Sequence, residues 1–254
     1  MHGVYFTLSQ RTFVGMGAKE SLESSVGSAL FSKAQRYVRK KMVDRKSLYG
    51  GKIQEFIGCA VEERNVVIKR AVFLDRDGVL SVEGGDYVTR PELLRVLPRV
   101  GEAIGRLNRA DFRVIIVTNQ SAVGRGLMTV GDLEEVHARL RAEIASEGGR
   151  IDAVYFCPHR PEEGCSCRKP APGMLLRAAE EYDIELPRSY MVGDSPKDIA
   201  AGAAVGSRTV LVLSGHTRAY EPSRFAAPQP ECVCADLWNA VEWILSVEAA
   251  DSGS

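Results

Sequence analysis

No apolar run in the 254 residues approaches the roughly 20 that would span a bilayer, so the sequence excludes a transmembrane helix. Nor does the chain open on the compact basic, apolar, small-residue pattern of a secretory signal peptide. Its six cysteines therefore have no evident oxidising compartment, and disulfides are the less expected use for them. Net charge is missing as well: 33 Lys+Arg stand against 33 Asp+Glu, and a molecule without a net field has no long-range pull on nucleic acid or an anionic membrane. Beyond these absences the composition is ordinary. With 45% hydrophobic and 26% charged residues, it describes a folded, water-soluble chain with enough length for a sizeable core, not a disordered, collagen-like or coiled-coil one.

The zero charge is a cancellation. Residues 1–70 hold 13 Lys/Arg against 6 Asp/Glu, and residues 71–254 hold 20 against 27. The first segment is basic around Arg36 to Lys46, and its apolar residues follow no sustained helical or strand period. It is expected to be a poorly ordered extension, or upstream sequence translated from a misassigned start. G-M-G-A-K at 15–19 superficially resembles a phosphate loop but lacks the G-x-x-x-x-G-K-[ST] spacing. From Ala71 onward, short apolar runs (AVFLD, RVIIVTN, DAVYFC, SYMVGDS, RTVLVLS) alternate with amphipathic helical stretches. That rhythm predicts βαβ units: an α/β, Rossmann-like three-layer sandwich with a mainly parallel sheet, forming one domain over 71–254.

Open sheets of this kind bind ligands beyond the carboxyl ends of their strands. The residues there are Asp75-Arg76-Asp77-Gly78 after the first run, Thr118-Asn119-Gln120-Ser121 after the second, and Gly193-Asp194-Ser195-Pro196-Lys197-Asp198 after the fourth. Carboxylates from two strand ends repel unless a cation lies between them, and hard oxygen ligands suit Mg²⁺ together with a substrate phosphate. An N-cap role explains Ser195 or Asp77 singly, but not the apolar run plus D-x-D-G together with a second acidic strand end.

FLDRDGVL at 73–80, VTNQS at 117–121, Arg168-Lys169-Pro170 and MVGDSPKD at 191–198 resemble, in order and spacing, the four motifs of the haloacid dehalogenase (HAD) superfamily of phosphatases. The resemblance implies that Asp75 is the nucleophile forming an aspartyl-phosphate and Asp77 the general acid and base. It further implies that Thr118 donates to a phosphoryl oxygen and Lys169 supplies positive charge. Mg²⁺ would be held by Asp75, the Asp77 main-chain carbonyl and Asp194, with Asp198 orienting Lys169. Strand alternation points the Arg76 side chain away from this site.

Cys157-Pro158-His159 and Cys165-Ser166-Cys167 place three thiols and an imidazole within eleven residues, the donor set of a closed structural Zn²⁺ site. The R-P-E-E-G stretch inside that loop offers no apolar residue with which to fold, so zinc would replace a hydrophobic core there and aim Arg168 and Lys169 at the phosphate. Cys232-Val233-Cys234 reads instead as a short buried strand, Cys59 and His137 are offered no role, and His216 follows the last main strand near the mouth.

A HAD phosphatase with C-P-H and C-x-C-R-K-P resembles the branch of heptose-bisphosphate and histidinol-phosphate phosphatases, which lack a large cap domain. About twenty residues separate Gly78 from the next helix, too few for a lid, so recognition falls to short loops. The expected contacts are Glu83, Asp86 and Tyr87 on one flap, Asn119, Gln120 and Ser121 on another, and Arg168. The resemblance implies a cytoplasmic, monomeric hydrolase of a small phosphorylated sugar, the 7-phosphate of a heptose 1,7-bisphosphate, with no nucleic-acid or membrane partner. Histidinol phosphate or another small sugar phosphate is the alternative substrate, and a zinc-loop interaction module the non-enzymatic alternative.

Overall fold

The computed structural model describes residues 69–252 except 86, 226 and 227. The basic leader, with Cys59 and the 15–19 segment, lies outside the described residues, as does Asp86.

Six parallel strands form one sheet in the order β3-β2-β1-β4-β5-β6. They are β1 (Ala71–Leu74), β2 (Arg113–Asn119), β3 (Ala153–Cys157), β4 (Tyr190–Gly193), β5 (Arg208–Val212) and β6 (Cys232–Cys234). The last is the short strand expected from the C-V-C alternation. Helices α1 (Val100–Arg109), α2 (Ser121–Gly124), α3 (Val130–Ser146), α4 (Gly173–Tyr182), α5 (Pro196–Ala203) and α6 (Leu237–Ser252) connect and follow the strands.

Because strand side chains alternate in direction, the central strands need apolar residues at every position, and β1 and β4 are buried throughout. One face carries Val72, Leu74, Val114, Ile116, Val192 and Val210, packed with Ile104 and Leu107 of α1, Leu133, Val136 and Leu140 of α3, and Val241 and Ile244 of α6. The intervening Phe73, Ile115, Met191 and Leu211 are also buried; α5 packs on β4 and β5, with Ile199 against Leu211, and α4 packs on β2 and β3. This is the expected three-layer sandwich.

Local sequence sets where the helices begin. Thr129 caps α3 through a reciprocal pair of hydrogen bonds with Asp132, and Ser195 does the same for α5 with Asp198, with Pro196 in the first turn. Among the described residues between Gly78 and α1 there are only a single 3₁₀ turn (Pro91–Leu93) and isolated bridges linking Asp77 to Ser81 and Ser81 to Val96. No cap domain is inserted there. Among the described residues no helix is long and apolar enough to cross a membrane.

Candidate active site

The chain runs outward from β1 in both directions, to β2 and β3 on one side and to β4, β5 and β6 on the other. The strand order therefore reverses between β1 and β4, and a crevice opens beyond their carboxyl ends. Asp75 follows β1 and Asp194 follows β4, and the Asp75 backbone N–H continues the ladder by donating to Val192 O at 3.1 Å. Acceptor oxygens of Asp75, Asp194 and Asp198 lie within 4.8 Å of one another. Room for this cluster comes from missing side chains. Gly78 has φ +83°, and a Cβ there would collide with the Asp194 carboxylate; a Cβ on Gly193 would enter the Asp198 side chain.

Lys169 is buried among these acids, its Nζ 2.9 Å from Asp75 Oδ2 and 2.6 Å from Asp198 Oδ1. Burial alone would push its ammonium down, but Asp198 and Asp75 outweigh that and hold it above the ordinary lysine range. The other oxygen of Asp198 accepts from Ser195 N at 3.1 Å and Ser195 Oγ at 2.6 Å, so both of its oxygens are engaged. Burial pushes Asp75 up to about 7 against the pull of Lys169, with Asp198 and Asp194 adding to the rise. Burial and then Asp198 likewise push Asp194 up to about 7, although it accepts the His216 backbone N–H. One ammonium does not neutralise three clustered carboxylates. Hard, buried, under-compensated oxygen donors of this kind fit Mg²⁺.

Asp77 is held differently. Arg76 Nε donates to Asp77 Oδ1 at 2.9 Å and Arg76 Nη2 to Oδ2 at 2.8 Å; Ser81 Oγ and Gln120 Nε2 add bonds at 3.2 and 2.9 Å. Burial would raise this carboxyl, but the Arg76 charge and these hydrogen bonds hold it below the usual carboxylate range. The expectation that Arg76 turns away is thus corrected. Strand alternation ends at Leu74: the next residues form a tight turn in which Leu80 N and Ser81 N both donate to Arg76 O, at 2.9 and 3.0 Å, and this curls the guanidinium back on Asp77.

The second strand end supplies Thr118, whose Oγ1 accepts from Gln120 Nε2 at 3.0 Å and so keeps its own O–H as a donor. Asn119 and Gln120, expected as substrate contacts, spend their amides on the protein. Asn119 Nδ2 donates to Lys169 O and Asn119 Oδ1 accepts from Lys169 N, both at 3.1 Å, which clamps the lysine main chain. Gln120 is buried and bridges Thr118 to Asp77.

At the rim, the Ser121 side chain, more than the nearby Arg125 and Arg168 charges, holds the Tyr87 phenol below the ordinary range. Glu83 lies 3.7 Å from His216 Nδ1. Arg125 carries no role in the sequence pattern, His137 is offered none there, and Arg76 is expected to turn away. Arg125 lies four residues beyond the T-N-Q-S segment, close enough in sequence to be weighed with it.

Four soft donors meet beside the site. Cys157 Sγ lies 3.5 Å from His159 Nδ1, 3.5 Å from Cys165 Sγ and 3.3 Å from Cys167 Sγ, while Cys167 Sγ lies 3.3 Å from His159 Nδ1 and 3.4 Å from Cys165 Sγ. These edges are near those of a tetrahedron with metal–ligand bonds of about 2.0–2.3 Å, and no position is left open. The three thiols are free, and their separations are far beyond the ~2.05 Å of a disulfide. The donor set fits Zn²⁺. Arg168 Nη1 donates to His159 O at 3.1 Å, tying the residue before Lys169 to the metal loop.

A sequence model of the HAD-hydrolase-like family matches residues 166–240. The D-glycero-beta-D-manno-heptose-1,7-bisphosphate 7-phosphatase of Bordetella bronchiseptica is 38% identical over 176 residues, covering 69% of this chain and 98% of the relative. The chain belongs to this family of HAD-like phosphatases. It is a phosphoric monoester hydrolase, and the interaction-module alternative is set aside. The Pseudomonas putida relative of the same name is 44% identical, covering 58% of this chain and 83% of its own length. Among solved structures, the B. bronchiseptica D,D-heptose 1.7-bisphosphate phosphatase complexed with magnesium and phosphate matches with TM-score 0.66 at 38% identity, over 70% of this chain and all but 1% of that one. The Burkholderia thailandensis enzyme matches with TM-score 0.55 at 37% identity, over 70% and 99%. A family member complexed with magnesium and phosphate agrees with the oxygen donors gathered here.

Proposed function

We propose that the protein removes the 7-phosphate of D-glycero-D-manno-heptose 1,7-bisphosphate in nucleotide-activated heptose synthesis, acting as a cytoplasmic monomer. The observation that carries the reading is the convergence of Asp75, Lys169, Asp194 and Asp198 at the strand-order reversal, in a chain related along nearly its whole described length to phosphatases of that name.

Asp75 is the nucleophile. One of its carboxylate oxygens bonds to phosphorus as the bond from phosphorus to the sugar oxygen breaks; Asp77, favoured as an anion by the Arg76 charge, first takes up a proton from solvent and delivers it to that departing oxygen. In the second half, Asp77 takes a proton from water as the water oxygen bonds to phosphorus and the Asp75–phosphorus bond breaks, releasing phosphate. Thr118 donates its hydroxyl to a phosphoryl oxygen. Lys169, fixed by Asp198 and by the Asn119 clamp, places its positive charge where negative charge gathers. Asp75, the Asp77 main-chain carbonyl and Asp194 would hold Mg²⁺, whose charge neutralises the phosphoryl oxygens when bound. Cys157, His159, Cys165 and Cys167 would hold Zn²⁺ as a structural ion. Arg168, Tyr87, Ser121, Glu83 and Asp86 form the sugar-facing rim, with Asn119 and Gln120 supporting it from within.

A phosphate-release screen over both anomers of the heptose 1,7-bisphosphate, histidinol phosphate and common sugar monophosphates, with Mg²⁺ present, tests the reading. The expected result is a kcat/KM for one heptose bisphosphate anomer at least about 10²-fold above every monophosphate, loss of activity on chelation, and a product that keeps its 1-phosphate. A preference for histidinol phosphate would overturn the substrate assignment and leave the hydrolase chemistry standing.

A further inference from the structure

Arg76 is among the largest fully buried side chains in the protein, 1% exposed, although arginine is almost never fully buried without a compensating partner. Its compensation is a single carboxylate. Nε and Nη2 form a two-pronged fork on the two oxygens of Asp77, which fixes the plane of that carboxylate as well as its distance. The third nitrogen, Nη1, is buried with no partner among the described residues, and so is Nε2 of His137 on α3 behind it. Burial, followed by the Arg76 charge, pushes the His137 imidazole down to about 3, so it is neutral and does not compete with the guanidinium for the anion. The cost of desolvating Arg76 is thus directed at one acceptor, and that acceptor is the residue assigned to proton transfer. An arginine needed only for packing would not require that geometry.

We infer that Arg76 is a positioning residue for the known reaction: its fork sets the side-chain orientation of Asp77 so that this carboxyl meets the departing sugar oxygen, and Arg76 acts through Asp77 without touching the substrate. The inference rests on the assignment of Asp77 above, and its test reads a ratio between substrates so that the two can fail separately. An alkyl phosphate needs its leaving oxygen protonated, whereas p-nitrophenyl phosphate departs as a stabilised anion and does not.

The experiment measures kcat/KM for Arg76→Gln and Arg76→Lys in the full-length, zinc-loaded protein with saturating Mg²⁺. The substrates are p-nitrophenyl phosphate and the heptose bisphosphate, or whichever alkyl phosphate the wild-type protein hydrolyses. R76Q is expected to lose about 10²-fold on the alkyl phosphate and less than about threefold on the aryl one. R76K, which keeps the charge but not the fork, is expected to recover only part of the loss. Asp77→Asn should give the same selective pattern, and adding R76Q to D77N should change neither substrate further. Equal losses on both substrates, no loss on either, or an additive double variant would overturn the inference. So would failure of both R76Q and R76K to fold with zinc, since Arg76 would then be a structural group. If D77N itself shows no leaving-group selectivity, it is the underlying assignment that fails.

Discussion

Replacing Asp75 by Asn is expected to lower kcat and kcat/KM together by at least about 10³-fold while the melting temperature stays within a few degrees of wild type. The amide is nearly isosteric, and its oxygen can still accept the Arg76 backbone N–H that now donates to Asp75 Oδ1 at 2.7 Å. Lys169 loses one of its two carboxylates and keeps Asp198. Against that loss stands the removal of a charge that is itself unfavourable, since burial and the neighbouring Asp198 and Asp194 already push Asp75 up to about 7. These opposing effects act on stability, whereas the reaction loses the nucleophile assigned to it. Phosphate release and a thermal melt on the same sample separate the two. Residual turnover within tenfold of wild type would remove Asp75 from the mechanism.

The second large effect concerns the metal loop. Cys167→Ser is expected to abolish stoichiometric zinc and to cost on the order of 4–5 kcal/mol, lowering the melting temperature by roughly 10–20 °C for a domain of this size. Activity should fall with it. Cys167 is buried at the junction where its thiol contacts Cys157, Cys165 and His159, and Lys169 follows two residues later. Glu162, Glu163 and Gly164 in the loop bury nothing that would hold it without metal. The check is metal analysis together with a melt and an assay. A variant without zinc that melts and turns over like wild type would show that the loop stands on its own.

The sheet was largely legible because its signal is local. Runs such as AVFL and VIIV are apolar at every position because both faces are covered, and Ser195-Pro196 and Thr129 mark helix starts within their own first turns. The acids at the strand ends were legible for the same reason: the carboxyl end of a strand is a place that sequence can name. Less legible were contacts decided by how the chain turns after a strand. Arg76 was expected to follow strand alternation, but the turn to Ser81 brings it onto Asp77. Asn119 and Gln120 were expected to face the substrate, yet the partners of their amides are Lys169, Asp77 and Thr118, which depend on how separate segments meet. His137 occupies the buried side of α3, where periodicity says only that something is covered, and nothing in the sequence identifies Arg76 as the charge acting on it.

The most direct measurement is the mass of the enzyme caught during turnover. Asp77→Asn protein mixed with p-nitrophenyl phosphate and Mg²⁺, then quenched in acid within one turnover, should carry one phosphoryl group. That protein has lost the group that activates water for the second half-reaction but can still expel a leaving group that needs no proton. Peptide mapping should place the phosphoryl group on the segment containing Asp75. A phosphoryl group on any other residue, or none while nitrophenolate is released at the wild-type rate, would contradict an aspartyl-phosphate mechanism at Asp75.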